Sequence, residues 1–146
     1  MLRDGEETML VVYDRATKWI DAIPCQDKSA DEAYTALLHF AGKDTVRSFY
    51  TDCSPELAKA AKDLGWVHFT STPGRPQTNG VAGRANRVIL EGARMVMERA
   101  GTPHKFWPLA VSHFAFALNT DECSGDSAYQ KRLKKRYDGL RVPFGA

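Results

Sequence analysis

S-T-P-G-R-P-Q-T-N-G-V-A-G-R-A-N-R, residues 71–87, joins a turn-rich loop to the start of a long amphipathic helix. Pro73, Gly74 and Pro76 forbid regular structure up to that point, and Gly80 supplies a joint before apolar residues recur at helical spacing. Thr72, Arg75, Gln77, Thr78 and Asn79 are donors and acceptors of the kind that contact phosphates and base edges. Arg84 and Arg87 add full positive charges to the first turns of a helix whose N-terminus already favours anions. A phosphate backbone is the partner this combination implies.

Beyond the loop, Val81, Ala85, Val88, Ile89, Gly92, Ala93, Val96, Met97 and Ala100 trace one face of a helix ended by Gly101. The opposite face carries Gly83, Arg84, Arg87, Glu91, Arg94 and Glu98. Its i,i+4 pairs, Arg87 with Glu91 and Arg94 with Glu98, are worth only a few tenths of a kcal/mol. Upstream, residues 9–13 form a continuous apolar run that reads as a strand buried on both faces. Asp14 to Lys18 reads as a turn, and residues 19–23 as a second strand ended by Pro24, completing a hairpin. Asp at a strand end more often bonds a turn backbone than a metal, so Asp14 is read as a turn residue.

Ser29 and Glu32 make an S-x-x-E capping box. They open a helix with Ala30, Ala33, Tyr34, Leu37, Leu38 and Ala41 inward and Gly42 as its stop. Residues 46–51 read as a strand that delivers Asp52 at its C-terminal end, where α/β sheets place ligands. Ser54 and Pro55 start a short helix with Leu57, Ala60, Ala61 and Leu64 inward, and residues 66–70 return as a strand. Glu56 reads as a charge at that helix start, and Cys53 as a half-buried thiol. Pro103 begins the last clear helix, with Phe106, Leu109, Ala110, His113, Phe114 and Ala117 inward. His113 reads as a core or interface residue, and the surplus of aromatics suggests contact with a second subunit. Residues 1–120 read as one domain and 121–146 as a linker and basic tail, in which K-R-L-K-K-R (131–136) is either a solvated run or an auxiliary nucleic-acid contact.

Composition agrees with one globular domain: 146 residues, 43% hydrophobic and 26% charged. Three cysteines, widely spaced and without a C-x-x-C pair, suggest neither a disulfide framework nor a zinc knuckle. No apolar run approaches ~20 residues, so neither a membrane nor a secretory role is expected. The net charge of +2 conceals an asymmetry. Residues 1–70 carry 8 Lys and Arg against 12 Asp and Glu, whereas residues 71–146 carry 12 against 6. The cationic half is the one that holds the loop, which again points to a polyanion.

The combination P-Q-T-N-G-V-A-x-R-A-N-R resembles the signature of retroviral and LTR-retrotransposon integrase cores. The likeness extends through V-V-Y-D-R-A-T-K-W (11–19), Y-T-D-C-S-P-E-L (50–57), residues 68–73, Phe106-Trp107 and Asn119. It implies an α/β, ribonuclease-H-like mixed sheet flanked by helices. In that family three carboxylates hold two divalent metals, Mg2+ or Mn2+, which drive cutting and joining of DNA strands. Asp52 matches the second carboxylate. Gly83 stands where the third belongs, and the first Asp lies on a central strand just before residue 9, so the sheet is expected to lack its first strand.

Glu91 is eight residues beyond Gly83, about 12 Å along a helix, and cannot substitute for the third acid. Asp4 is a poor candidate for the first. The resemblance therefore implies a truncated, catalytically inactive copy from a Pol polyprotein, a pseudoenzyme engaged in DNA binding and integration by descent. Arg75, Gln77, Asn79, Arg84, Asn86 and Arg87 are its expected DNA contacts. It further implies a homodimer or higher oligomer through helices, and an intracellular location, nuclear when DNA-engaged. Two alternatives stay open: a non-catalytic dimerisation or assembly module, and a residual metal-dependent nuclease built on Asp52.

Overall fold

The computed structural model describes residues 5–52, 54–70, 80–122 and 125–146. Strands β1 (Thr8–Tyr13) and β2 (Ile20–Cys25) form an antiparallel hairpin, and β3 (Phe49–Thr51) pairs in parallel with β4 (His68–Thr70). Helices α1 (Ala30–Ala41) and α2 (Pro55–Leu64) precede α3 (Gly80–Ala100), α4 (Trp107–Asn119) and α5 (Ala128–Leu133). Among the described residues the strands make two separate two-stranded ladders rather than one sheet.

β1 is the element both cores share. Met9, Val11 and Tyr13 pack on one cluster, with Ile89 and Ala93 of α3 and Ala110, Val111 and Ala115 of α4. Leu10 and Val12 face the opposite way, onto Ala33 and Leu37 of α1 and Ala60 of α2. A strand sandwiched between helical layers needs apolar residues in both phases of its alternation, which is why 9–13 is an unbroken apolar run. The turn between the strands is held by Asp14, whose carboxylate accepts from the Ala16 N–H (2.9 Å) and the Thr17 hydroxyl (2.7 Å).

β2 runs through Pro24 to Cys25 instead of ending at the proline. Pro24 faces Met9 in the register, at a position where the missing N–H would point away from β1, so no ladder bond is lost. The outer edge of β2 is closed by side chains. The Asn119 amide pairs with Ile20 in both directions, accepting from its N–H at 2.9 Å and donating to its C=O at 2.7 Å. Ser112 donates to the Ala22 carbonyl (3.3 Å), and Asp21 accepts the Ala22 N–H (2.9 Å).

Only half of the capping box at α1 forms. Ser29 Oγ accepts from Glu32 N–H at 3.3 Å, but Asp27 takes the Ser29 N–H (2.8 Å), and Glu32 reaches back to the N–H of Gln26 instead (3.0 Å). α2 ends where Gly65 adopts a left-handed φ of 73° and donates to Ala61 and Lys62.

Two helices sit at a somewhat different rotation from the one their spacing suggests, and α3 departs from it at one position. α1 buries Ala36 and leaves Tyr34 and Leu38 at the surface, and α3 leaves Val88 out. α4 buries Val111 and Ala115, while Leu109 and Ala117 are exposed. In α1 and α4 the buried positions that the spacing missed are Ala36, Val111 and Ala115, none of them larger than the leucines left outside, a choice that apolar spacing alone does not reveal. At the α3–α4 crossing, Gly92 meets the ring of Phe114.

Residues 121–146, expected as a linker and basic tail, include α5 and two buried residues, Ser127 and Ala128. The Arg132 guanidinium lies over the rings of Trp19 (4.8 Å) and Phe40 (5.1 Å), pairs with Asp44 at 3.2 Å and donates to the Phe40 carbonyl. Arg136 pairs with Glu122 (2.8 Å). Within the chain Phe116 lies edge-on to Tyr137 and His113 tilted against Phe144, while Phe116 remains 43% exposed. No described helix is long and apolar enough to cross a membrane.

Candidate nucleic-acid interface

Asp52 directly follows β3, at its C-terminal end. One carboxylate oxygen accepts from the Ser54 N–H at 3.1 Å, so the group serves the entry to α2. Beneath it, Thr51 Oγ1 donates to the Asp52 carbonyl (2.7 Å) and lies 2.6 Å from Nε2 of His68 on the paired strand. His68 stacks on Phe49, so its ring is engaged by the sheet. Glu56, in the first turn of α2, has its carboxyl held below the ordinary range by the neighbouring Ser54 side chain and by backbone donation. It acts there as an anion at a helix N-terminus.

Gly83 is exposed in the first turn of α3, and a Cβ placed on it would meet nothing within 4 Å. Arg84, Asn86 and Arg87 are exposed on the same stretch, followed by Arg94. The Asn86 amide donates to the Ala82 carbonyl at 3.2 Å. Neither Arg87 with Glu91 nor Arg94 with Glu98 closes into an ion pair, and both arginines are exposed. The remaining expected DNA contacts, Arg75, Gln77 and Asn79, lie outside the described residues, as do Thr72, Thr78, Cys53 and Asp4.

Among the described residues the donor set does not fit a two-metal centre. Such a centre needs several oxygen ligands around ions roughly 4 Å apart. Asp52 spends one oxygen on a backbone N–H, Gly83 offers none, and no group of three His, Cys, Asp or Glu among the described residues could hold an ion. Away from this end, a cavity of about 340 Å³ between α1 and α4 is lined by Cys25, Glu32, His39, Pro108 and Ser112, among others, and includes no residue of α3. Sequence reasoning had no signal for it, because its walls come from elements far apart in the chain. Nor did it single out Asp21 of β2, whose carboxyl is pushed up by burial against the opposing pull of the Ala22 N–H, His39 and Arg132.

The architecture has a counterpart among solved structures. The catalytic core domain of BIV integrase, in crystal form I, superposes with a TM-score of 0.62, covering 87% of this chain and 92% of that one at 19% identity. This chain has the fold of an integrase catalytic core.

Its sequence relatives are consistent with that fold. No protein-family model matches the chain. The retrovirus-related Pol polyprotein from transposon RE1 of Arabidopsis thaliana is 27% identical across 97% of the chain, and that from transposon RE2 is 26% identical across 97%. The Pol polyprotein from transposon TNT 1-94 of Nicotiana tabacum is 37% identical over 78 residues, 53% of the chain. The chain spans only 10%, 10% and 5% of the length of those polyproteins.

Proposed function

We propose that this domain binds DNA as the core of a retroelement integration protein, descended from a strand-transfer enzyme but without its chemistry. The observation that carries the reading is the face of α3, where Arg84 and Arg87 stand exposed, with no ion pair to a described residue, beside a glycine in place of an acid. A helix presenting uncompensated guanidinium groups near its N-terminus favours a phosphate backbone. Catalysis by Mg2+ or Mn2+ is lost on this reading because Gly83 stands where the resemblance places the third acid. Assembly is through helices, for which Leu38 of α1 and Leu109 of α4 supply exposed apolar surface. A domain that works on integrating DNA acts in the nucleus.

Fluorescence anisotropy of a labelled duplex at several salt concentrations tests the binding. Arg84→Ala with Arg87→Ala should flatten the log–log salt dependence by about two units, since each phosphate contact contributes about 0.9. An unchanged slope removes α3 as the contact. Strand-transfer assays with Mn2+ test the silence: neither the wild-type chain nor Gly83→Glu should join DNA ends, and joining by either refutes that part.

A further inference from the structure

The fold divides the basic run at 131–136 into cations that are engaged and cations that are not. Arg132 lies over the Trp19 ring and pairs with Asp44, and Arg136 pairs with Glu122. Lys131, Lys134 and Lys135 are exposed, and none forms an ion pair with a described residue. The contact of Arg132 with Trp19, together with the rings of Trp19 and Tyr129 at 6.2 Å, holds α5 beside the β1–β2 turn. Between the two lies a cleft of about 560 Å³, lined by Ala16 and Thr17 of the turn and by Asp126, Gln130, Lys131 and Lys134. Arg15 and Lys18 flank the two lining residues of the turn, and both are exposed without an ion pair to a described residue.

Backbone conformation marks the same two elements. Lys18 (φ 67°) and Lys134 (φ 60°) are the only non-glycine residues among the described ones in the left-handed region. Glycine enters that region freely, whereas a residue with a Cβ is strained there. Lys134 ends α5 in this conformation, its N–H returning to the Gln130 carbonyl at 2.9 Å, and Lys18 closes the turn onto the Asp14 carbonyl at 2.8 Å. Glycine would make both bonds with less strain, so what lysine adds at each position is charge. The nearby acids do not cancel it. The Asp14 carboxylate is taken by the Ala16 N–H and the Thr17 hydroxyl, which leaves Asp126 as the one acid lining the cleft. Against it stand the cations of the turn, Arg15 and Lys18, and those at the end of α5, Lys131, Lys134 and Lys135.

We infer that this cleft binds the phosphate backbone of a nucleic-acid duplex. Its lysines act as point charges that follow phosphates without reading bases, and Gln130 adds a neutral donor to the lining. A protein partner would need apolar surface to bury, and the lining offers only Ala16. The inference rests on the reading of the domain as a DNA binder, and adds to it a second contact that shares no residue with the α3 face.

Anisotropy of a labelled duplex across about 0.05–0.2 M salt tests it, with the α3 arginine pair as the reference. Lys131→Gln with Lys134→Gln should flatten the log–log slope by about two units, and the same pair combined with Arg84→Ala and Arg87→Ala by about four. Lys134→Gly should lose about one unit of slope while its Tm holds or rises, because the left-handed φ is relieved. In NMR spectra the amides of Thr17, Gln130 and Lys131 should shift on titration with the duplex and stay in place with poly-glutamate. An unchanged slope in the lysine pair beside a flattened one in the arginine pair overturns the inference and leaves the DNA-binding reading standing. Flattening by the lysine pair alone upholds the inference and removes α3 as a contact. A wild-type chain that binds no duplex removes both. Poly-glutamate moving these amides when the duplex does not would make the partner an acidic protein and overturn the inference. So would a fall in Tm for Lys134→Gly, which would give that lysine a structural role.

Discussion

Gly92 and Gly83 lie on one helix and have opposite surroundings, so alanine at each separates packing from helix propensity. A Cβ at Gly92 would sit 2.0, 2.1 and 2.3 Å from three carbons of the Phe114 ring. Ordinary contact begins near 3.4 Å, so the ring or α4 must retreat by about 1.4 Å. The ring belongs to the larger core cluster, alongside Ile89 and Val111, and has little room to move. Overpacking of this kind costs about 3 kcal/mol at its upper range, and alanine recovers about 1 kcal/mol of helix propensity. Gly92→Ala should therefore destabilise by about 2 kcal/mol, whereas Gly83→Ala, opening onto empty space, should stabilise by about 0.5–1 kcal/mol. For a domain of this size that is a fall of about 4–8 °C against a rise of about 1–4 °C in Tm. Thermal and urea unfolding of the two variants measure it. Adding Phe114→Leu to Gly92→Ala should restore part of the loss, since the two sites touch and cannot be additive. Gly92→Ala matching Gly83→Ala in stability would show that α3 and α4 do not cross at this glycine, and the reasoning would fail.

Other expectations follow from the edge of β2 and the acid beside it. Asn119→Leu leaves the Ile20 N–H and C=O buried without partners, and should lower the unfolding free energy by about 2–4 kcal/mol in urea titrations; a loss under about 0.5 kcal/mol would mean water replaces the amide. Asp21→Asn keeps an oxygen for Ala22 but removes a charge that burial disfavours. Because the folded-state pKa lies above the ordinary 3.8, the wild-type penalty is present at neutral pH and fades as pH falls through the folded value. The variant should therefore have the higher Tm at pH 7, with the two curves converging below about pH 3.8; a lower Tm at pH 7 would show that His39 and Arg132 outweigh burial.

The local chemistry of the chain is legible without coordinates. The double-faced strand at 9–13, the Asp14 turn, the entry to α2 and the run of α3 all follow from alternation, capping residues and helical spacing, because each is decided by neighbours within a few positions. The family resemblance singled out Asp52 and Gly83, and the fold supplies the physical surroundings of each: a carboxylate tied to Ser54, and a glycine facing open space. Helix rotation was not legible, since Leu38 and Leu109 are as apolar as the smaller residues that displaced them, and only the closeness of packing chooses between them. Nor was the role of the tail, where Arg132 reads as one cation among five until Trp19 and Phe40, some ninety or more residues away, close around it. Asn119 is likewise polar at the end of an apolar helix until Ile20, 99 positions earlier, gives it two bonds. The sequence by itself determined the elements and the charge on α3, because short-range sterics and spacing are written in adjacent residues. Tertiary structure alone decided how the outer edge of β2 is closed, because that depends on side chains brought together across the length of the chain.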